Sequence, residues 1–62
     1  MNIAPTLRTL GVRDNGTLTD TREHISRDAA RAHVNALQRA GMVPQAFHYL
    51  GGFWRPVRAD LI

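Results

Sequence analysis

The chain has 62 residues, of which 44% are hydrophobic, with no cysteine and a formal net charge of +3. This length predicts one small domain over residues 1–62, because a chain of this size buries only about 60% of its unfolded surface. The composition excludes disulfides, thiolate metal sites and an apolar run of the about 20 residues that span a bilayer, so we expect no metal, cofactor or membrane partner.

The first third of the chain predicts two short helices separated by a turn. A first helix is predicted over residues 5–10. Pro5 suits a first helical position, Leu7 and Leu10 form an apolar pair, and Gly11 stands at the stop position. Residues 14–16 are Asp-Asn-Gly, a turn signal, and residues 17–19 have strand character. A second helix is predicted to begin at Asp20, because Asp20 and a glutamate three residues later fit a capping pattern.

A third helix is predicted over residues 27–40. If the second helix continued into it, Arg22 and Glu23 would turn toward the core, so the phase of the apolar residues requires a break at Ser26. Ser26 is then the N-cap, and Asp28 complements the positive end of the helix dipole. One side of this helix carries alanines, His33, Val34 and Leu37, and the other side carries Arg27, Arg31, Asn35 and Gln38.

The polar side of the third helix has the chemistry to interact with DNA bases. Arginine binds guanine bidentately, and asparagine or glutamine binds adenine in the same way. All eight basic residues of the chain are arginine, which suits phosphate and guanine recognition, although a GC-rich genome produces the same bias. A plain solvated helix face remains the alternative interpretation.

Residues 25–43 resemble the reading helix of winged helix-turn-helix proteins. Residues 25–26 match the apolar residue and cap that start that helix, Ala30, Val34 and Leu37 match its packed positions, and residues 40–43 match its exit into the wing. The resemblance covers residues 17–57. It implies an α+β winged helix-turn-helix fold with about three short helices and a C-terminal β-hairpin wing.

The family resemblance implies that the third helix enters the major groove of duplex DNA, as in a transcriptional regulator or a recombination accessory factor of a phage or mobile element. Two features depart from the family pattern: the second helix is about one turn short, and the wing tip is apolar. Together with the arginines that flank the hairpin, the predicted DNA-binding residues are Arg22, Arg27, Asp28, Arg31, Asn35, Gln38, Arg55 and Arg58.

The C-terminal third predicts a β-hairpin with Gly51-Gly52 as its two-residue turn. This turn pairs Leu50 with Phe53 and Tyr49 with Trp54, and strand alternation places the aromatic residues 47, 49 and 54 with Pro56 on one face. We expect that face to be the core side of the sheet, because a thin core needs large side chains. Pro56 indicates an edge strand.

The apolar hairpin tip predicts protein contact through Leu50, Phe53 and Trp54. The alternative function is therefore a phage-type inhibitor or interaction module that binds a host or phage protein through the aromatic hairpin at residues 47–57. A third hypothesis is a structural subunit whose basic face complements an acidic neighbour.

Catalysis and secretion are not predicted. The three histidines have no motif spacing, no paired carboxylates accompany them, and no glycine-rich phosphate loop opens a helix. Residues 1–5 lack the pattern of a secretory signal, which favours the cytoplasm of a bacterial or virus-infected bacterial cell. The thin core favours a homodimer.

Overall fold

The computed structural model describes residues 4–62 as one helix packed on a four-stranded sheet. The elements in chain order are β1 (Leu7–Val12), β2 (Leu18–His24), α1 (Arg27–Arg39), β3 (Val43–Leu50), β4 (Phe53–Val57) and a 3-10 turn (Ala59–Leu61). Adjacent strands are antiparallel in the order β2-β1-β3-β4. The connection from β2 through α1 to β3 therefore passes over β1, and α1 covers one side of the sheet.

The predicted winged helix-turn-helix fold is wrong, because the two N-terminal helices are strands. Residues 7–10 of the first predicted helix belong to β1, in which Thr9 and Gly11 face α1 and Arg8 and Leu10 face the other side of the sheet. Gly11 lies inside the strand and is buried, so it does not end a helix. The predicted second helix is β2, which pairs with β1 along most of its length.

The third predicted helix is confirmed, with its start at the predicted break. The Ser26 side chain accepts a hydrogen bond from the Ala29 backbone amide at 3.2 Å, which caps α1. His33, Val34 and Leu37 are buried as the apolar phase predicts. Two alanines assigned to the buried side, residues 29 and 40, are exposed.

The C-terminal hairpin is also confirmed in its register. Leu50 pairs with Phe53 and Tyr49 pairs with Trp54, around a turn in which both glycines have positive φ angles of 63° and 86°. β4 is an edge strand, as Pro56 indicates. The pairing of β1 with β3 ends at Leu7 and His48, so the hairpin tip extends beyond β1.

The core lies between α1 and the inner side of the sheet and is built from small residues. Leu37 and Val34 are its largest fully buried apolar side chains. Ala30 and Ala46 allow the helix to approach β3 closely, and Ile62 completes that cluster. The bulkier aromatic residues of the hairpin do not contribute to this cluster.

β2 contains a bulge at the point where its pairing with β1 shifts between Thr9 and Gly11. At this bulge Asp20 has a φ of 55°, the left-handed region that residues other than glycine rarely occupy. The distorted backbone directs the Asp20 carboxylate toward α1, where it meets His33. The backbone strain of a positive φ at a residue other than glycine persists where the surrounding contacts determine the conformation.

Candidate functional site

The two arginines that start the predicted DNA-reading ridge contact the C-terminal segment of this chain. The Arg27 guanidinium donates to the Leu61 carbonyl at 2.8 Å, and that of Arg31 donates to the Asp60 carbonyl at 3.4 Å. Both side chains therefore hold the 3-10 turn against the first turns of α1. Their placement gives them a structural role in addition to any role in binding.

The other predicted DNA contacts do not form one surface. Asp28, Asn35 and Gln38 are exposed on α1, and Gln38 borders a groove that it shares with residues of β3 and β4. Arg22 lies on edge strand β2, where its guanidinium is paired with Asp20 at 3.0 Å, and Arg55 and Arg58 lie on or after β4 at the opposite edge. The guanidinium of Arg58 is paired with Asp60, and that of Arg55 donates to the Leu50 carbonyl.

The side of the sheet away from α1, here called the open face, carries three aromatic residues. Phe47 lies opposite both Arg8 and Pro56, and Tyr49 lies opposite Trp54. Directly paired residues share a face, so these side chains lie on the same side as Arg8, away from the helix. The prediction that this face is the core side is wrong: no element of residues 4–62 covers it, and Tyr49 is 48% exposed.

The residues Arg8, Phe47, Tyr49 and Trp54 form what we call the aromatic patch. The Tyr49 and Trp54 ring centroids are 5.4 Å apart at an interplanar angle of 67°. The Arg8 Cζ atom lies 4.1 Å from the Trp54 ring centroid, and Arg8 Nε donates to Glu23 at 3.1 Å. The ion pair holds the guanidinium over the indole, a cation–π arrangement. Sequence reasoning missed Arg8 because it assigned residues 5–10 to a helix.

The other end of the open face is aliphatic. Val12 pairs with Leu18 on one side and with Val43 on the other, so three branched side chains cross three neighbouring strands. Leu18 and Val43 are 61% and 63% exposed. We call these three residues the aliphatic row.

The predicted protein-contact residues divide between the two sides of the hairpin. Trp54 belongs to the open face, whereas the Leu50–Phe53 pair is one residue further along each strand and points to the opposite side. Leu50 and Phe53 are nevertheless both exposed, so the hairpin tip is apolar.

A hydrogen-bonded cluster lies on the helix side, between β1, β2 and α1. The Thr9 hydroxyl is bonded to His33 Nδ1 and, at 2.7 Å, to His24 Nε2. His33 Nε2 is 3.1 Å from Asp20 Oδ2. Thr9 and His33 are buried, and the cluster borders a cavity of about 410 Å³ whose lining also includes three helix alanines, residues 29, 32 and 36.

Two groups in this cluster have shifted pKa values. The hydrogen bond from His33 is the main cause that lowers the pKa of Asp20, and the bond and charge of Arg22 add to it. Burial lowers the pKa of His24, and the nearby His33 and Arg22 lower it further. No sequence motif marks this cluster, because its members are brought together by the pairing of β1 with β2 and by the packing of α1 on these strands.

We expect the stability of the protein to decrease as pH falls from about 7.5 to about 5.5. The pKa of His24 is below its ordinary value of 6.5 in the folded state, so the unfolded chain takes up the proton first as pH falls through 6.5. Native stability is then lost until pH reaches the folded pKa. Urea unfolding at both pH values measures this loss. A His24→Gln variant should lose less stability over the same interval, and an equal loss in both proteins would contradict the assignment.

No family model, curated protein or solved structure matches the chain. Within residues 4–62, no group of three or more histidines and carboxylates could hold a metal ion. The one α-helix in this described region is too short and too polar to cross a membrane. The functional interpretation therefore rests on the aromatic patch, the aliphatic row and the histidine cluster.

Proposed function

We propose that the chain binds single-stranded nucleic acid across the open face of its sheet, with bases stacked on the aromatic patch. The observation that carries this proposal is the contiguity of Phe47, Tyr49 and Trp54 on a sheet face that α1 leaves uncovered. Aromatic side chains presented by a sheet or groove stack bases of any sequence, with about 1–3 kcal/mol per base.

Arg8 supports the same chemistry. Its guanidinium lies 4.1 Å from the Trp54 ring centroid and is held by Glu23. A guanidinium plane both stacks on bases and donates to phosphate oxygens, so Arg8 can extend the platform that the aromatic rings begin.

The net charge favours a polyanion as the ligand. The chain has a net charge of +3, and five arginines of residues 4–62 form no salt bridge with a carboxylate: Arg13, Arg27, Arg31, Arg39 and Arg55. They lie on α1, on the helix side of β4 and after β1 rather than on the open face, so they attract a polyanion from a distance. Guanidiniums without a neutralising partner attract phosphates over several ångströms, and binding to them weakens as salt is added.

A single strand fits these observations better than a duplex read by α1. Arg27 and Arg31 are engaged with backbone carbonyls, and Asp28 adds a negative charge to the exposed start of the helix. The helix surface still offers Asn35 and Gln38, so the test compares both ligands and both surfaces.

Trp54 is the only tryptophan, so its fluorescence reports directly on the proposed surface. We would titrate the protein with a short oligothymidine and with a duplex, at about 50 and about 200 mM salt. Saturable quenching by the single strand, weaker at the higher salt and weaker with the duplex, is the expected result.

Two matched double variants assign the binding surface. Phe47→Ala with Tyr49→Ala removes two stacking partners and should lower affinity at least about tenfold, since about 1.4 kcal/mol corresponds to a factor of ten. Asn35→Ala with Gln38→Ala changes the exposed helix surface and should leave affinity unchanged. If the helix variant alone loses binding to the duplex, α1 is the reading element. If neither nucleic acid binds at low salt, the proposal fails.

The aliphatic row favours a second candidate function, protein docking. Exposed Leu18 and Val43 flank Val12 without a charged residue between them, which is typical of the centre of a protein interface. A host or phage protein and a second copy of this chain are the partners predicted from the sequence. The mass of the protein in solution, measured with wild type and with Val43→Ser, tests self-association. The cytoplasmic location, the role in transcription or recombination and the lack of enzymatic activity stay predictions.

A further inference from the structure

We infer that His24 Nδ1 is a nucleophilic imidazole nitrogen, activated by a hydrogen-bonded chain that runs through Thr9 and His33 to Asp20, and that it takes acyl groups from carbonyl electrophiles. The site lies on the helix side of the sheet. It is therefore separate from the aromatic patch and does not depend on the proposed nucleic-acid binding.

When His33 is neutral, the bonding pattern assigns the proton of each ring to one nitrogen. The Asp20 carboxylate accepts a hydrogen bond, so His33 Nε2 donates to it. The other nitrogen of a neutral His33 then accepts, and the Thr9 hydroxyl donates to it. The Thr9 oxygen in turn accepts from His24 Nε2 at 2.7 Å. The remaining nitrogen, His24 Nδ1, is left with its lone pair.

This lone pair is accessible from solvent. His24 Nδ1 makes no hydrogen bond with residues 4–62. Every fully buried side-chain nitrogen or oxygen of those residues has a hydrogen-bond partner, so His24 Nδ1 is not fully buried. The His24 ring borders the cavity of about 410 Å³, where the helix presents only alanine side chains toward it apart from His33. This cavity is the space from which an electrophile would reach the His24 ring.

The hydrogen-bonded chain provides a path for the charge that acylation creates. His24 Nδ1 attacks a carbonyl carbon, an N–C bond forms, and the bond from that carbon to its leaving group breaks with its electron pair. The His24 Nε2 proton passes to the Thr9 oxygen while the Thr9 proton passes to His33 Nδ1. The product is a neutral acyl-His24 and a His33 imidazolium next to the Asp20 carboxylate, so the leaving anion is balanced by one cation.

The charged groups around the hydrogen-bonded chain favour this transfer of protons toward His33. Asp20 stabilises the His33 imidazolium at 3.1 Å, and the bulge with its positive φ fixes the direction of that carboxylate. Burial disfavours a proton on His24, and the charges of His33 and Arg22 disfavour it further, which keeps the His24 ring neutral and nucleophilic near neutral pH. Arg22, whose guanidinium is paired with Asp20, also lines the cavity.

Diethylpyrocarbonate is the probe, because it acylates unprotonated imidazole nitrogens. We would treat the native protein near neutral pH and follow each histidine by peptide mass spectrometry, with His48 on β3 as the internal control. We expect His24 to react at least about tenfold faster than His48, and the difference to disappear in urea-unfolded protein. Equal or slower reaction of His24 in the native protein would overturn the inference.

Thr9→Val interrupts the hydrogen-bonded chain with little change in side-chain shape, and Thr9→Ser restores the hydroxyl. In folded Thr9→Val the His24 rate should fall to that of His48, whereas Thr9→Ser should retain the fast reaction. An unchanged rate of His24 acylation in folded Thr9→Val would show that the hydrogen-bonded chain has no activating role. Nitrogen-15 NMR of the wild type provides a test that needs no variant: both His24 and His33 should be Nε2–H tautomers, and an Nδ1–H tautomer at His24 contradicts the inference.

Discussion

Replacing Leu37 with alanine is expected to remove a large fraction of the free energy of unfolding. Leu37 is 1% exposed and is the largest fully buried side chain between α1 and the sheet. A buried Leu→Ala change costs about 2–5 kcal/mol, and at about 0.05–0.15 kcal/mol per residue a chain of this length has a total stability of only about 3–9 kcal/mol. Circular dichroism with urea unfolding measures both the folded fraction and the free energy of unfolding.

Leu18→Ala is the matched control for this change. It removes the same atoms from a side chain that is 61% exposed on the open face, so the free energy of unfolding should change by no more than about 0.5 kcal/mol. If Leu18→Ala destabilises the protein as much as Leu37→Ala, the open face is covered in solution, and the mass of the protein then distinguishes self-association through the aliphatic row from a wrong assignment of inner and outer sides.

Replacing Gly11 with valine is expected to destabilise the fold by about 3 kcal/mol. A β-carbon at this position would lie 2.8 Å from Met42 Sδ, 2.9 Å from Leu37 Cδ2 and 3.2 Å from Met42 Cβ. The first two distances are too short for carbon and sulfur atoms, so Met42 and Leu37 must move, and the additional methyl groups of valine enlarge the overlap. The midpoint of thermal or urea unfolding measures the loss.

A second substitution identifies the cause of the loss. Met42→Ala removes the sulfur atom and should destabilise the wild-type protein, but it should destabilise Gly11→Val less, because it vacates the space that valine needs. The double-mutant cycle isolates this coupling. Strictly additive effects of the two substitutions would mean that the valine introduced at Gly11 does not compete for space with the Met42 side chain.

Local signals explain why α1 and the hairpin could be predicted. Ser26 caps α1 within its own first turn, the buried residues of the helix follow one phase, and Gly51-Gly52 determines the strand register on either side of it. Each of these features acts between residues that are close in sequence, so the tertiary fold does not have to be known.

β1 and β2 depend on contacts that are distant in sequence. Leu7 and Leu10 fit one helix face but lie on opposite faces of a strand, so residues 7–12 show no apolar alternation. They form a strand because they pair with β2 and with β3, the latter more than 30 residues away. β2 is exposed along most of its length, so it shows no clear apolar alternation. The aromatic patch and the histidine cluster both require β1, and for this reason sequence reasoning could not assemble either of them.

Strand alternation predicted that the hairpin aromatics share a face, but not which face meets α1. The helix packs on Thr9, Gly11 and Ala46, because small residues let a helix approach a sheet closely. The large side chains are therefore placed on the outside. A comparison of residue size on the two sides of β3 would have indicated this arrangement.

The two edges of the sheet influence how copies of this chain behave at high concentration. Pro56 deprives β4 of a backbone donor, and the bulge at Asp20 twists β2 out of regular pairing. Neither edge offers a straight row of amides and carbonyls on which another strand could grow. Edge-to-edge fibre formation is thereby disfavoured, even though apolar side chains are exposed on the open face. The protein can therefore present this apolar surface to partners without polymerising through its backbone.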